Sequence, residues 1–260
     1  MISILKVLTV EDTMRVLALL AFCVAAVAAV PRASRLSGGS FVDIDKYPSS
    51  ASILHTNDGI SLRFSCAGTI INNRSILTAG HCMYYLPPSE YRVRVGSSFT
   101  NSGGQVLPVG SIILYPSFND ANFNDDLSIV RTSTFITYGN NVRPSPIAGY
   151  SLGENQAVWA TGWTTAESDA NGLQLSDTQV WTVSQDVCKS RYEAWDQEVT
   201  DDVVCTGWPD QDNLGQCSGV FGAGVFQSGT LVAVTTNCFD SVPTINIRVS
   251  SFTSWIQENA

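Results

Sequence analysis

Histidine and lysine are the scarce residues of this chain. Only His55 and His81 occur in 260 residues, and beyond Arg35 lysine is confined to Lys46 and Lys189, against eight arginines. No C-x-x-C pair is present. With so few nitrogen ligands the usual zinc spacings cannot be assembled, and no metal or other cofactor is expected. Charged residues make up 14% and the net charge is −9. Nothing offers a basic stripe to neutralise phosphates, which excludes nucleic acid as a partner. Internal repeats, low-complexity tracts and a second domain type are also missing.

What the chain does have is apolar bulk, 44% hydrophobic, together with abundant Gly, Ser, Thr and Asn. That mixture suits short strands and tight turns rather than long surface helices, and 260 residues suffice for one large all-β domain or two small ones. Val16–Val30 is an unbroken apolar run preceded by Arg15. It is short for a membrane span, and Ala26-Val27-Ala28 supplies a small-x-small cleavage site, so residues 1–28 read as a secretory signal peptide. Met14 would make a more usual start, with residues 1–13 an upstream extension. The mature chain is expected to be secreted, free of the membrane and monomeric.

Removing the leader removes Cys23 and leaves Cys66, Cys82, Cys188, Cys205, Cys217 and Cys238. An even set in a secreted chain implies a disulfide framework whose pairing spacing alone does not settle. Asn73-Arg74-Ser75 is a glycosylation sequon in a turn between two short apolar segments. Arginine keeps its charge beyond pH ~12.5 whereas lysine loses it near ~10.4, so the arginine bias fits an alkaline extracellular fluid such as a gut lumen.

Four stretches carry a resemblance. Ser65–Met83 reads S-C-A-G-T-I-I-N-N-R-S-I-L-T-A-G-H-C-M, Asn124–Val130 reads N-D-D-L-S-I-V, Thr161–Thr164 reads T-G-W-T, and Gln216–Ala223 reads Q-C-S-G-V-F-G-A. Together they resemble the chymotrypsin/trypsin family of serine proteases, and within it insect midgut trypsin-like proteins. The likeness runs from about Arg35 to Ala260. It implies an all-β fold of two antiparallel six-stranded β-barrels: barrel one over about 36–145, barrel two over about 146–246 and a terminal helix over about 249–260. Phe252, Trp255 and Ile256 recur there at helical spacing after Ser250-Ser251. Asn141–Ile147 resembles the crossing between the barrels.

The resemblance assigns the general base to His81 and its orienting acid to Asp126, with Asp125 a lesser candidate. It pairs Cys66 with Cys82, closes a loop with Cys188 and Cys205, and places a Cys217–Cys238 bridge beside the substrate pocket. Residues 29–35 correspond to a short propeptide, with Arg35-Leu36 at the activation junction.

Three parts of the family's machine are changed. The nucleophile's place holds Phe221, and a phenyl ring has neither a proton to surrender nor a lone pair with which to attack. The preceding position, where the family's aspartate receives the new amino terminus, is Val220, which cannot pair with an ammonium group. An oxyanion-hole remnant is left in the backbone N–H groups of Gly219 and Phe221. In the substrate pocket, Gly215 stands where trypsin-like members carry an aspartate. Thr235, Thr236 and Asn237 replace the family's S-W-G wall, and Thr244 replaces a glycine, so side chains narrow or fill the slot. A three-residue shift would bring Ser218 to the nucleophile's place. It would also break the match at Gly229–Val232 and move the hydroxyl by up to ~10 Å, well outside the ~3 Å reach of a base.

The resulting expectation is a serine protease homologue that folds without cleaving and binds peptides, protease inhibitors or partner proteases. The alternatives are an active serine endopeptidase using Ser218 and an inert structural or storage protein. If the inactive reading holds, a phenyl ring should lie against the His81 imidazole.

Overall fold

The Y-R-V-R-V alternation of Tyr91–Val95 shows how the barrels form. Tyr91, Val93 and Val95 are buried in a core with Ile53, Ile70 and Ile76, while Arg92 and Arg94 point to the other face. The Arg94 guanidinium donates there to the carbonyls of Thr100 and Gly103. The computed structural model describes residues 39–119, 125–164, 173–194, 197–211, 220–239 and 241–260. The leader, the Arg35-Leu36 junction, Gly215, Cys217, Ser218 and Gly219 lie outside these residues.

Barrel one comprises β2 (Ser50–His55), β3 (Arg63–Ile70), β4 (Ser75–Thr78), β5 (Tyr91–Val95), β6 (Gln105–Leu114) and β7 (Ser128–Thr132). Its strands run β2-β3-β4-β7-β6-β5, all antiparallel, and β5 pairs back onto β2 to close it. Barrel two comprises β8 (Ala157–Thr164), β9 (Gln174–Thr182), β10 (Val203–Gly207), β11 (Gly224–Gln227), β12 (Thr230–Asn237) and β13 (Thr244–Arg248). Its order is β9-β10-β13-β12-β11-β8, closed by pairing of β8 with β9. Closure removes free sheet edges from both halves.

One boundary differs from the sequence reading, which counted everything from residue 36 to 145 with barrel one. Strand β1 (Ser40–Phe41) pairs instead with β9 of barrel two, Ser40 opposite Asp177. Tyr47 and Lys46 follow it there, and both reach the Asp177 carboxylate. The chain crosses between barrels as the proline-marked segment suggested. Arg143 and Ser145 donate backbone N–H groups to Pro48 and Ile70, and Ala148 then pairs with Leu231.

Helix α1 (Gln185–Glu193) is capped by the Ser184 hydroxyl, which accepts from the N–H of Val187, and the Cys188–Cys205 disulfide ties it to β10. The terminal helix begins as a 3-10 turn over Val249–Phe252 and continues as α2 (Thr253–Asn259). Phe252 and Trp255 clasp the Tyr115 ring edge-on, with centroids 4.8 and 5.2 Å away, which docks the helix on barrel one.

The barrels meet along a seam of direct backbone contact. Ala67 N–H in β3 donates to the Phe221 carbonyl at 2.8 Å, and the Thr78 hydroxyl donates to the Ala67 carbonyl at 2.7 Å. Gly222 has φ +78°, and a Cβ there would lie 2.2 Å from both the Ala67 oxygen and the Thr78 hydroxyl. Only glycine permits that approach.

Five of the eight arginines beyond Arg35 (Arg74, Arg92, Arg94, Arg131 and Arg248) spend their forks on backbone carbonyls. A guanidinium can serve two carbonyls at fixed angles where an ammonium cannot, so carbonyl clamping is itself a reason for the arginine bias.

Two predictions follow from this packing. Gly222→Ala should lose about 2–4 kcal/mol of stability from combined strain and overpacking, read by urea unfolding; a change under 1 kcal/mol would mean that the seam is soft. The second concerns alkaline stability. Burial raises the Tyr47 phenol well above its usual range, and its bond to Asp177 adds to this; burial likewise raises Tyr192. The unfolded chain releases these protons near pH ~10 while the folded chain keeps them. Their stabilising contribution is therefore intact below pH ~10 and falls as pH rises past it. Between pH 9 and 11, Tyr47→Phe with Tyr192→Phe should flatten the fall in unfolding free energy by up to about two protons.

Candidate active site

His81 and Asp126 are brought together by strand pairing. Strand β4 runs antiparallel to β7 with Thr78 opposite Ser128. The residues just after the end of one strand therefore meet those just before the start of the other. The Ser128 hydroxyl donates to the Ala79 carbonyl at 3.0 Å, and Asp125, at φ +58°, turns the chain into β7. On the His81 side, the Cys66–Cys82 disulfide anchors the loop to β3, and the Tyr91 hydroxyl donates to the Cys82 carbonyl at 3.1 Å.

Asp126 is 2% exposed and accepts twice from His81: from the backbone N–H at 2.7 Å through Oδ1, and at Nδ1 at 2.7 Å through Oδ2. Donation from Nδ1–H leaves Nε2 with its lone pair, the tautomer a general base needs. Gly80 makes room for this. A Cβ there would stand 2.8 Å from the Phe118 ring and 3.0 Å from Asp126 Oδ1. Asp125 is not the partner; its carboxyl is raised by burial and by the nearby Asp202 charge.

The base nevertheless faces no described alcohol. The Phe221 ring lies 5.1 Å from the imidazole, centroid to centroid, at an interplanar angle of 79°. Nε2 stands 3.7 Å from Cys82 Sγ. Phe221 is half-buried and packs on the core of barrel one. A T-shaped contact of this kind is an attractive packing arrangement, and it offers acyl transfer no nucleophile.

Val220 is 5% exposed and belongs to a core cluster drawn from both barrels. A Cβ on Gly162 would come within 2.0 Å of Val220 Cγ1, so the valine fills its seat against β8 completely. The position to which the resemblance assigns a carboxylate is a closed apolar contact.

Of the pocket residues, Thr235, Thr236, Asn237 and Thr244 are all buried. Thr235 Oγ donates to Asn246 Oδ1 at 2.9 Å, whereas Thr236 lies at a bulge between β12 and β13 with its hydroxyl buried and unpartnered. Asn246 was not singled out from sequence. It is wholly buried, and its amide nitrogen lies within hydrogen-bond reach of the carbonyls of Val204 and Thr244 and of the Thr206 hydroxyl. An asparagine between Ile245 and Ile247 in a strand was the available signal. Also missed were Tyr84, Tyr85 and Phe118, a ladder of edge-on rings beside His81; Tyr84 and Tyr85 are exposed.

Cys238 is disulfide-bonded; Cys217, its expected partner, lies outside the described residues. Cys66, His81 and Cys82 cluster within 4.8 Å, but both sulfurs are in a disulfide and neither is a thiolate able to hold a metal. Asn73 is exposed on the turn between β3 and β4, where Asn72 Oδ1 accepts from the N–H groups of Arg74 and Ser75.

Comparison with known proteins agrees with this construction. The family description "Trypsin" matches residues 36–256. Alkaline trypsin C of Manduca sexta is 42% identical over 94% of this chain and 98% of its own length. Trypsin CFT-1 of Choristoneura fumiferana is 41% identical over the same shares. Among solved structures, the scabies mite inactivated protease paralogue S-D1 superposes with a TM-score of 0.75 at 21% identity, covering 85% of this chain and 95% of that one. Mouse brain neuropsin, described as a serine protease, gives a TM-score of 0.70 at 22% identity over 85% and 97%. Two closed six-stranded barrels, a His–Asp pair at their seam and a family match across nearly all of both place the chain in the trypsin family of serine proteases.

Proposed function

We propose that this is a secreted, non-catalytic member of the trypsin family whose former active-site cleft binds peptides, protease inhibitors or partner proteases in an extracellular fluid such as a gut lumen. The observation that carries this is the Phe221 ring against His81 at 5.1 Å. A phenyl ring in contact with the imidazole offers it no proton to take. Val220 supports the reading independently, because an amino terminus released by cleavage would find a sealed apolar seat there. Phe221 at the imidazole, and the exposed Tyr84 and Tyr85 a few residues beyond His81 in the chain, add aromatic surface, the residue class that most often anchors a partner. One solved relative of the same fold is itself named as an inactivated protease paralogue. The moth trypsins set the expectation of extracellular residence, and among the described residues no helix is long and apolar enough to cross a membrane.

The direct test is a fluorophosphonate probe on the purified protein, with an active trypsin alongside. No serine should label; stoichiometric labelling at Ser218, or at any other serine, would overturn the non-catalytic reading. A binding arm completes it: a substrate-like protein inhibitor of serine proteases should bind, and Tyr85→Ala should weaken it by about 10-fold. No binding by any of several inhibitor classes or by peptide libraries would instead indicate an inert protein.

Restoring the nucleophile should not restore the enzyme. Phe221→Ser is expected to stay near background in peptide-ester hydrolysis because Val220 cannot organise the oxyanion loop, whereas losing a nucleophile alone accounts for roughly 10⁶ in turnover. Ester hydrolysis by Phe221→Ser rising more than about 10³-fold above background would show that Val220 is no obstacle.

A further inference from the structure

Three of the six tryptophans converge on one surface hollow of barrel two, away from the strands that carry His81 and Asp126. Trp159 in β8 lies opposite Gln179 in β9, and Trp181 lies opposite Ala157. The two indoles are therefore diagonal neighbours on the outer face of one strand pair. Trp208, just past β10, closes the third side and is held by donation from its Nε1 to the Gln179 carbonyl at 2.9 Å. Trp159 is 36% exposed, and Trp181 is partly so. Trp208 is 9% exposed and belongs to the barrel-two core, on which Trp181 also packs, so these two back the hollow. Trp159 is the ring most open at the surface, and an aromatic face left there is characteristic of recognition.

The hollow is polar at its rim and close to neutral within. The Gln179 and Asp210 side chains and Ser40 are exposed around the rings. At the floor, Asp177 is buried and already compensated, by the Lys46 ammonium at 2.5 Å and the Tyr47 hydroxyl at 2.7 Å. The same ammonium sits 4.7 Å from the centroid of the Trp159 ring. A cationic ligand would meet Lys46, and an anionic one would meet Asp210. Flat, electron-rich faces bordered by an amide, a carboxylate and a hydroxyl instead suit a neutral molecule that is apolar on its faces and hydroxylated at its edge.

A pyranose with equatorial hydroxyls is such a molecule. Its axial C–H bonds form two apolar faces that stack on indole, and its rim both donates and accepts hydrogen bonds. The hollow's volume of about 550 Å³ lies within the ~300–1,000 Å³ range of small-molecule sites. We propose that the Trp159–Trp181–Trp208 hollow is a carbohydrate-binding site for neutral β-1,4-linked pyranose chains, with Trp159 and Trp181 stacking the rings, Trp208 backing them, and Gln179 donating and accepting and Asp210 accepting at the hydroxyl rim. Glucose and N-acetylglucosamine oligomers share this ring chemistry. The site is independent of the remnant active site and would tether the protein to a polysaccharide surface.

The test is calorimetric and fluorescence titration of the purified protein with cellohexaose and, separately, chitohexaose. At least one should saturate with a dissociation constant on the order of 10⁻⁴ M, about 5.5 kcal/mol, with a change in tryptophan emission. Trp159→Ala and Trp181→Ala should each weaken it about 10-fold, and Gln179→Ala about 3-fold. Ile60→Ser, at an exposed apolar position in barrel one, should leave it unchanged. Near-UV circular dichroism checks that each variant is folded. The sugar that binds identifies the polymer. Absence of saturation by both to about 10 mM, binding indifferent to folded Trp159 and Trp181 variants, or tighter binding of tetramethylammonium than of either sugar would overturn the proposal. Because neither sugar titration reads the His81 cleft, failure here and failure of the non-catalytic reading are separable.

Discussion

The hydrogen bond from Ala67 N–H to the Phe221 carbonyl, with Gly222 pressed beneath the Ala67 oxygen, is the constraint from which the site's geometry follows. Through it barrel one holds the backbone of the residue whose side chain meets His81. Backbone contacts cannot be satisfied elsewhere once they are buried, so the loop is locked whatever side chain it carries. This explains how the family's frame can accept a phenylalanine where it ordinarily places a serine. The position is held by main-chain bonds at Phe221 and Gly222, and the ring it carries meets the imidazole.

Orientation of the base survives for a related reason. The Asp126 carboxylate serves the His81 backbone as well as its ring. It is therefore part of the folded loop and not only of a catalytic device. Removing it would leave a partly buried N–H without a partner, a structural penalty whatever the activity of the chain. A His–Asp pair of good geometry is accordingly weak testimony to activity. The decisive group is the third one.

The two halves of the molecule carry different chemistry. Barrel one presents the remnant cleft with its aromatic ladder, and barrel two presents a tryptophan-lined hollow on the outer side of its β8–β9 pair. Under the proposed non-catalytic reading both serve as recognition surfaces. The arginine clamps and buried phenols act on the whole: guanidinium groups hold loops at high pH, while Tyr47 and Tyr192 set the alkaline ceiling above which the unfolded chain gains by losing protons.

Much of this was legible before folding was considered. Alternating strands, the N-N-R turn, the H-C and T-G-W-T signatures and the replacement at Phe221 are local facts, and short-range patterns encode them because strand periodicity and turn chemistry act over a few residues. Other features depend on residues distant in the chain meeting. Strand β1 joins barrel two because Lys46 and Tyr47 find the buried carboxylate of Asp177. Val220 is sealed because Gly162 offers no side chain. Asn246 became a buried hub through the Val204 carbonyl and Thr206 hydroxyl supplied by β10. The three tryptophans, spread from 159 to 208, became one surface only when β8, β9 and β10 came to lie side by side. Sequence by itself determined which side chains were available, Phe221 and Val220 among them. Tertiary structure alone decided which of them touch, since contact between distant residues is fixed by strand order and closure, and neither is written in any local stretch.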